Sequence, residues 1–493
     1  MRKYVLALDQ GTTSSRCVVF DRERRVAGLA QKEFRQIFPQ PGWVEHDPEE
    51  IWQTQQEVML EAMDRADAGP EDIATIGIAN QRETTVVWDR RTGEPIANAI
   101  VWQCRRTAER CAALKADQAF AAMVRERTGL VVDAYFSASK IQWLLDSVPG
   151  ARARAEAGEL RFGTVDAWLV WKLTQGAVHA TDHTNASRTM LYDTGRLCWD
   201  ADLCRTFGVP LSMLPEVRPS AGFFGACRLL GREIPVLGVA GDQQASLFGQ
   251  GCTGAGQAKN TYGTGCFLLM HTGSVRRTSA HGLLSTMAAT LGDGPAYALE
   301  GSVFIGGAVV QWLRDGLGII AKASETEGLA RSVPDAAGVY LVPAFAGLGA
   351  PWWDMDARGG LFGLTRGATR AHVARAALEA IAYQCTDLVH AMEQDAGMRL
   401  ESLSVDGGAC ANGFLMQFQA DVAGLALRRA SVLETTALGA ASLAGLACGV
   451  WNLADLKKAS AQGTAFLPAM PLAQREGLLA GWHEAVDRVR SHS

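Results

Sequence analysis

Residues 9–16, Asp9-Gln10-Gly11-Thr12-Thr13-Ser14-Ser15-Arg16, lie between two short apolar runs, 4–8 and 17–20. A glycine followed by hydroxyl residues lets backbone N–H groups curl around an anion, as in the nest-type sites that hold phosphate. Thr12, Thr13 and Ser14 add hydroxyl donors, and Arg16 adds positive charge. Asp9 only accepts hydrogen bonds when ionised. It therefore suits the water shell of a Mg²⁺ ion better than a phosphate. The same residues would also make an ordinary polar hairpin turn. A second stretch of this kind, Thr261-Tyr262-Gly263-Thr264-Gly265, recurs in the other half of the chain. Two such loops facing one cleft would offer donors on more than one side, as a triphosphate requires.

Other polar groups stand where short apolar runs end. Gly241-Asp242-Gln243-Gln244 follows the run 236–240. A carboxylate there can take the proton of a substrate hydroxyl, or simply cap the helix that starts beside it. Asn80-Gln81-Arg82-Glu83 follows the run 73–79. Arg donates and Glu accepts, which suits a polyol whose hydroxyls do both; the alternative is a surface ion pair. Asp406-Gly407-Gly408-Ala409-Cys410-Ala411-Asn412 ends another run and opens a helical pattern. Its glycines permit flat approach to a planar or phosphate-bearing group, and Asn412 can cap the helix or contact a base. Gly306-Gly307-Ala308 before Gln311 is a weaker example. Trp102, Tyr135 and Phe267 adjoin these motifs and can wall a small pocket. The chain has no GxxxxGK[ST], HExxH or GxSxG motif. His179 and His183 are four apart, but Thr181, Asp182 and Thr184 favour a turn there, so no metal pair is expected.

The elements that must carry these groups follow from the pattern. The runs 4–8, 73–79, 162–165, 236–240 and 403–405 read as buried strands whose carboxyl ends present Asp9, Asn80, Asp166, Asp242 and Asp406 to one cleft. Residues 48–66, 370–392 and 412–423 read as helices. The first of them follows Asp47 as N-cap, with Glu50 as capping-box partner. Strands alternating with helices imply α/β layers around largely parallel sheets, with ligands beyond the carboxyl ends of the strands. Residues 6–21 and 259–273 share one shape: strand, small-residue turn, strand. Each would open a domain, which places a boundary in the Gly-rich stretch 249–256 and divides the chain into 1–250 and 251–493.

Composition excludes several classes. The chain has 493 residues, 48% hydrophobic and 20% charged, which is a globular mix long enough for two to four domains. A net charge of -5 without a basic block argues against nucleic-acid binding. The 11 cysteines are scattered with no CxxC, the usage of reduced thiols, so a cytoplasmic setting is expected. The apolar run before Asp9 is too short for a signal peptide. Residues 437–451, rich in Ala and Gly, fall short of the ~20 strongly apolar residues a bilayer span needs and read as a buried helix. No membrane span is expected.

These motifs together resemble a known family. LALDQGTTSSR, NQRETTVVWD, VWQCRRT, YFSASK, TDHTNASRTMLYD, GVAGDQQASLFGQ, NTYGTGCF, LEGSVFIGGAVVQWLRD, VDGGACANGFLMQFQADV and ETTALGAASLAGLACGVW are similar to the glycerol kinases of the FGGY carbohydrate kinase family, from about Tyr4 to Trp451. The resemblance implies an α/β fold of two actin-like (ribonuclease H-like) domains flanking a central cleft. The N-terminal domain would bring the polyol and the first phosphate hairpin, and the C-terminal domain the nucleotide. It implies phosphorylation of glycerol to sn-glycerol 3-phosphate by ATP with Mg²⁺, in line, with Asp242 as general base. Arg82, Glu83, Tyr135, Asp242 and Gln243 would bind glycerol, with Trp102 and Phe267 over its carbons. Thr12, Thr13, Ser14, Arg16, Thr264 and Gly265 would meet phosphates. Gly307, Gln311, Gly408 and Asn412 would hold the rest of the nucleotide, and Asp9 would order the metal through water. A homo-oligomer, dimer or tetramer, is expected. The nearest alternatives are a kinase of another small polyol or ketose on the same fold, and a nucleotide-switched binding protein of the actin kind, which lacks the alcohol pocket.

The chain departs from the family at residues 225–235. Some bacterial members carry a Gly-rich basic loop there that binds fructose 1,6-bisphosphate, and others a phosphorylatable histidine nearby. Here glycines are sparse, Glu233 opposes an anion, and no His lies between 218 and 235. Neither form of control is expected.

Overall fold

The computed structural model describes residues 3–491 except 293, 433, 461 and 462. The first half opens with β1 (Tyr4–Gln10), β2 (Ser14–Phe20) and β3 (Val26–Glu33), then α1 (Pro48–Arg65) and β4 (Ile73–Asn80). A long segment of short helices follows before β5 (Ala226–Cys227), β6 (Ile234–Gly241) and α2 (Asp242–Gly249). The second half contains β7 (Ala258–Tyr262), β8 (Cys266–Gly273), β9 (Leu284–Met287), β10 (Tyr297–Val303) and α3 (Arg370–Ala396). It continues through β11 (Ser402–Asp406), α4 (Gly413–Ala423), β12 (Ala426–Ala430), α5 (Thr435–Ala447) and β13 (Gly463–Phe466).

Among the described residues the first sheet runs β5-β6-β4-β1-β2-β3 and the second β9-β10-β8-β7-β11-β12-β13. Their pairings repeat. β1 pairs β2 antiparallel and β4 parallel, and β4 pairs β6 parallel. Likewise β7 pairs β8 antiparallel and β11 parallel, and β11 pairs β12 parallel. The two stretches of equal shape, 6–21 and 259–273, are the opening hairpins of this duplicated arrangement.

Both faces of the first sheet are covered, which is why its strands read as continuous apolar runs. Side chains alternate along a strand. Leu6 and Leu8 pack with Ile51, Val58 and Ala62 of α1, while Val5 and Ala7 pack with Ala437, Ala441 and Ala444 of α5. The expected buried helix is thus α5, which ends at Ala447, with residues 448–450 turning away from it; it lies on the first sheet although it stands between β12 and β13 of the second. Backbones touch there. A Cβ on Gly77 would stand 2.1 Å from the Ala440 carbonyl, and one on Gly439 would stand 1.8 Å from that of Ala245. Among the described residues no helix is long and apolar enough to cross a membrane.

Two local expectations are corrected. Asp47 caps α1 by accepting from the Glu49 N–H (2.9 Å), but Glu50 does not return to Asp47. Glu50 accepts instead from the Arg35 N–H at 2.9 Å, tying the helix to the chain after β3. The strand expected at 162–165 is Leu160–Gly163, paired antiparallel with Val86–Asp89 in a separate ribbon. Asp166 lies in the helix Val165–Leu173, not at a strand end, and its buried carboxylate accepts from the hydroxyls of Thr164 (2.5 Å) and Thr181 (2.6 Å).

Candidate active site

In the first sheet β1 and β6 flank β4. Asp9 and Ala240 both pair with Ala79. Two strand spacings therefore bring the carboxyl ends carrying Asp9 and Asp242 to ~10 Å of each other, with Gln81-Arg82-Glu83 leaving β4 between them. Asp242 opens α2, where its Oδ1 accepts from the Gln243 N–H (2.7 Å) and lies 3.4 Å from Nε of Arg82. Its side chain keeps 29% of its surface open.

The residues after β4 are buried and charged. Nη1 and Nη2 of Arg82 donate to the two carboxylate oxygens of Glu300 at 2.6 and 2.9 Å. Glu83 Oε1 accepts from Nε of Arg188 (2.6 Å), whose Nη2 donates to Glu300 Oε1 (3.1 Å). Burial alone would raise the Glu300 carboxyl, but the guanidiniums of Arg188 and Arg82 outweigh it and hold it at about 2. Burial raises the Glu83 carboxyl against the pull of the same two arginines. Glu83 sits at φ +59, a left-handed conformation that costs energy for a non-glycine residue. Ser137 holds it there by donating to the Glu83 carbonyl at 3.1 Å.

Aromatic rings flank this cluster. The Tyr135 ring lies edge-on to Trp102 with centroids 5.6 Å apart, and 5.6 Å from the Arg188 guanidinium. Buried Lys140 donates to the Tyr135 carbonyl (2.5 Å) and fixes the backbone that carries the ring. Trp102 Nε1 donates to Thr12 Oγ1 at 2.9 Å, joining the aromatic wall to the first hairpin. Phe267 is half-buried on β8, opposite Thr261 and Ser302.

The first hairpin closes through the Gly11 N–H to the Ser14 carbonyl (3.0 Å). Thr13 is exposed, and Ser14 Oγ accepts from Gln31 (3.0 Å). Arg16 is ion-paired with Glu434 and donates to Gln31 (2.9 Å). The second hairpin closes through the Gly263 N–H to the Gly265 carbonyl (2.9 Å). The turn after β10 docks on it: the Gly306 N–H donates to Thr264 and the Gly307 N–H to Gly263, each at 2.8 Å. Thr264 and Gln311 are exposed. Gly408 is exposed, and open space surrounds the position of its absent Cβ. Asn412 caps α4 by accepting from the Leu415 N–H (3.0 Å) and donates to Thr326 (3.3 Å).

Burial raises the Asp9 carboxyl to about 7; Arg16 opposes the rise, while Asp242 and Glu434 add to it. Two neighbouring carboxylates of which one resists ionisation suit a hard divalent cation, which relieves their repulsion. A Mg²⁺ ion keeps most of its water and takes one or two carboxylates plus substrate phosphate, and the Asp9–Asp242 pair fits that demand. Among the described residues no group of three or more His, Cys, Asp and Glu gathers for a metal. His179 and His183 go to different partners, the Phe162 carbonyl and the Tyr192 hydroxyl, each at 2.8 Å.

Three charged residues join the site that motif reading passed over. Arg188 and Glu300 lie inside motifs that carried the resemblance, yet no local pattern marks them. The third is Lys259 on β7, fully buried, whose Nζ donates to Gln243 Oε1 (2.5 Å) and Thr261 Oγ1 (2.8 Å). Burial lowers its amine to about 8, against the pull of Asp406 and Asp242. Lys259 likewise stands beside Asn260 and Thr261, so its own stretch does not mark it either.

Comparison with known proteins places the chain in a family. Residues 4–249 match the family model described as FGGY family of carbohydrate kinases, N-terminal domain, and residues 258–448 match its C-terminal domain. The chain belongs to the FGGY family of carbohydrate kinases. It is 59% identical over 490 residues to a protein from Symbiobacterium thermophilum named glycerol kinase, covering 99% of this chain and 98% of that one. Among solved structures, Plasmodium falciparum glycerol kinase with ADP superposes with a TM-score of 0.94 at 35% identity, covering 99% of both chains. Ligand-bound xylulose kinase from Lactobacillus acidophilus superposes at TM-score 0.89 with 21% identity over 99% of this chain and 98% of that one, a likeness of fold.

Proposed function

We propose that this chain phosphorylates glycerol with ATP to give sn-glycerol 3-phosphate, by direct in-line transfer. The observation that carries the reading is the position of Asp242. It leaves a strand end beside Asp9 and opens α2 with its carboxylate partly open, 3.4 Å from the buried Arg82.

Phosphoryl transfer asks little covalent chemistry of a protein; alignment and charge neutralisation dominate. Arg82 and Glu83 orient the hydroxyls, one donating and one accepting. Gln243, held by Lys259, and Tyr135 complete the polar contacts, while Trp102 and Phe267 cover the carbons. Asp242 accepts the proton of the primary hydroxyl as its oxygen attacks the γ-phosphorus. Thr12, Thr13, Ser14 and Arg16 meet the phosphates from one side, and Thr264 with Gly265 from the other. Gly307, Gln311, Gly408 and Asn412 border the rest of the nucleotide. Mg²⁺, when bound through the water shell of Asp9, supplies neutralising charge for the phosphate oxygens. Water competes with glycerol for the phosphoryl group, so the cleft must close before transfer.

A coupled assay for glycerol 3-phosphate with ATP and Mg²⁺, run beside a panel of tetritols and pentuloses, tests the reading. Glycerol is expected to give the highest kcat/KM. ATP turnover without any polyol, or a clear preference for a pentulose, would overturn it.

A further inference from the structure

Residues 82, 83, 188 and 300 form a closed ring of alternating charge, and no side chain in it is more than 2% exposed. Three of its members come from the first half. Glu300 alone comes from the second, on β10. One carboxylate of the second half therefore takes both terminal nitrogens of Arg82 and one of Arg188. Bidentate pairing fixes the plane of a guanidinium. With Nη1 and Nη2 on Glu300, and Nη1 also on Gln244 (3.1 Å), Nε is the nitrogen that faces Asp242 at 3.4 Å. Arg188 passes the constraint on, since its Nη2 is on Glu300 and its Nε on Glu83.

β10 also belongs to the phosphate side. Glu300 pairs with Leu269 and Ser302 with Phe267 on β8. Four residues beyond Ser302, the Gly306 N–H rests on the Thr264 carbonyl of the second hairpin (2.8 Å). The strand that carries Glu300 thus ends on the hairpin expected to meet the nucleotide.

We propose that Glu300, acting with Arg188, is the positioning element of the alcohol site. It orients Arg82 and Glu83 for the polyol and ties that orientation to the strand bordering the phosphate hairpin. The inference rests on the reading of Arg82 and Glu83 as polyol ligands. Neither Glu300 nor Arg188 is assigned contact with the reacting atoms.

The test uses two variants of the full chain. Glu300→Gln combined with Arg188→Met removes one negative and one positive charge, so the ring stays neutral and Glu83 is its one remaining carboxylate beside Arg82. Glu300→Asp keeps the charge and withdraws it by one methylene. For each, KM for glycerol, KM for ATP and kcat are measured, and glycerol binding is titrated with and without ADP. A rise in glycerol KM of ~10-fold or more with ATP KM within ~3-fold is expected in both, because lost positioning acts on one substrate. ADP is expected to change glycerol affinity in the unmodified chain and to lose that effect in the double variant, since coupling between two sites is a reciprocal property of their affinities. A merely structural ring would lower the active fraction and leave both KM values in place. Unchanged glycerol KM in either folded variant overturns the inference. If the unmodified chain fails to phosphorylate glycerol at all, the functional reading beneath it has failed instead, and the two failures are distinct.

Discussion

The hairpin between β1 and β2 and the hairpin between β7 and β8 have the same strands around them and differ in what holds the turn. In the first, side chains hold it. Gln36 donates to the Thr12 carbonyl (3.2 Å), Trp102 to the Thr12 hydroxyl (2.9 Å) and Gln81 to the Gly11 carbonyl (3.1 Å). Charge is concentrated there, with Asp9, Arg16 and Glu434 together. In the second, the turn Gly263–Gly265 has no charged residue and is held by backbone, through Gly306, Gly307 and Ala308; the charged Lys259 sits back on β7 and donates to Thr261 (2.8 Å). Gly407, at φ +89, presses so close that a Cβ would stand 2.5 Å from the Tyr262 carbonyl. A duplicated topology has thus been specialised: one turn is flanked by charge, which on the proposed reading serves the metal, and the other supplies shape. The carboxylate that uses both, Asp242, belongs to neither.

That comparison can be broken in steps of decreasing size. Asp242→Asn keeps the shape of the side chain and removes the proton acceptor. Turnover should fall by ~10²–10⁴ with a smaller change in glycerol KM; near-unchanged turnover in steady-state kinetics removes Asp242 from the base role. Gly265→Ala attacks the turn made of backbone. The added methyl would lie 2.5 Å from the Val303 carbonyl and 3.1 Å from that of Phe304. Main chain cannot give way as a side chain does, so a loss of about 1–3 kcal/mol is expected. The functional mark is a rise in ATP KM with glycerol KM little changed, and equal rises in both would contradict the division of labour. Ser14→Ala attacks the turn held by side chains. One solvent-accessible hydrogen bond from Gln31 is lost, worth about 1 kcal/mol, so ATP KM should rise by less than ~10-fold. A Ser14 effect exceeding that of Gly265 would reverse the comparison.

A pH-dependent effect concerns Lys259, which links β7 to Gln243. Its amine is held at about 8 in the folded chain against 10.5 when exposed. Between those values the unfolded chain binds a proton that the folded chain has released. Stability therefore gains a rising component from about pH 8 to 10.5. Lys259→Met should flatten that rise in urea titrations taken across the range. An unaltered slope would mean that the amine titrates elsewhere.

Much of the fold was legible because its signals are local. Hairpins of equal shape, apolar runs ending in polar residues and the Ala-rich helix Thr435–Ala447 each follow from neighbouring sequence. The side of the molecule on which that helix lies was not legible, because it depends on glycines 77, 238 and 249 meeting it across hundreds of residues. The site divides in the same way. Asp242, Arg82 and Glu83 stand at strand ends, where a polar group is conspicuous. Glu300 and Arg188 take their meaning from partners 218 and 105 residues away. Asp166 misled for the converse reason. It follows an apolar run as the others do, but its two threonine partners make it an internal support.

The account comes down to a direct handover of phosphate across the cleft, with Asp242 taking only a proton. An aspartate can also act as a nucleophile and carry the phosphoryl group itself. Stereochemistry separates the two. With ATP made chiral at its γ-phosphorus, a single in-line displacement by the glycerol hydroxyl predicts inverted configuration in the sn-glycerol 3-phosphate formed. Retention would require two displacements and a phosphorylated enzyme, and would contradict the account.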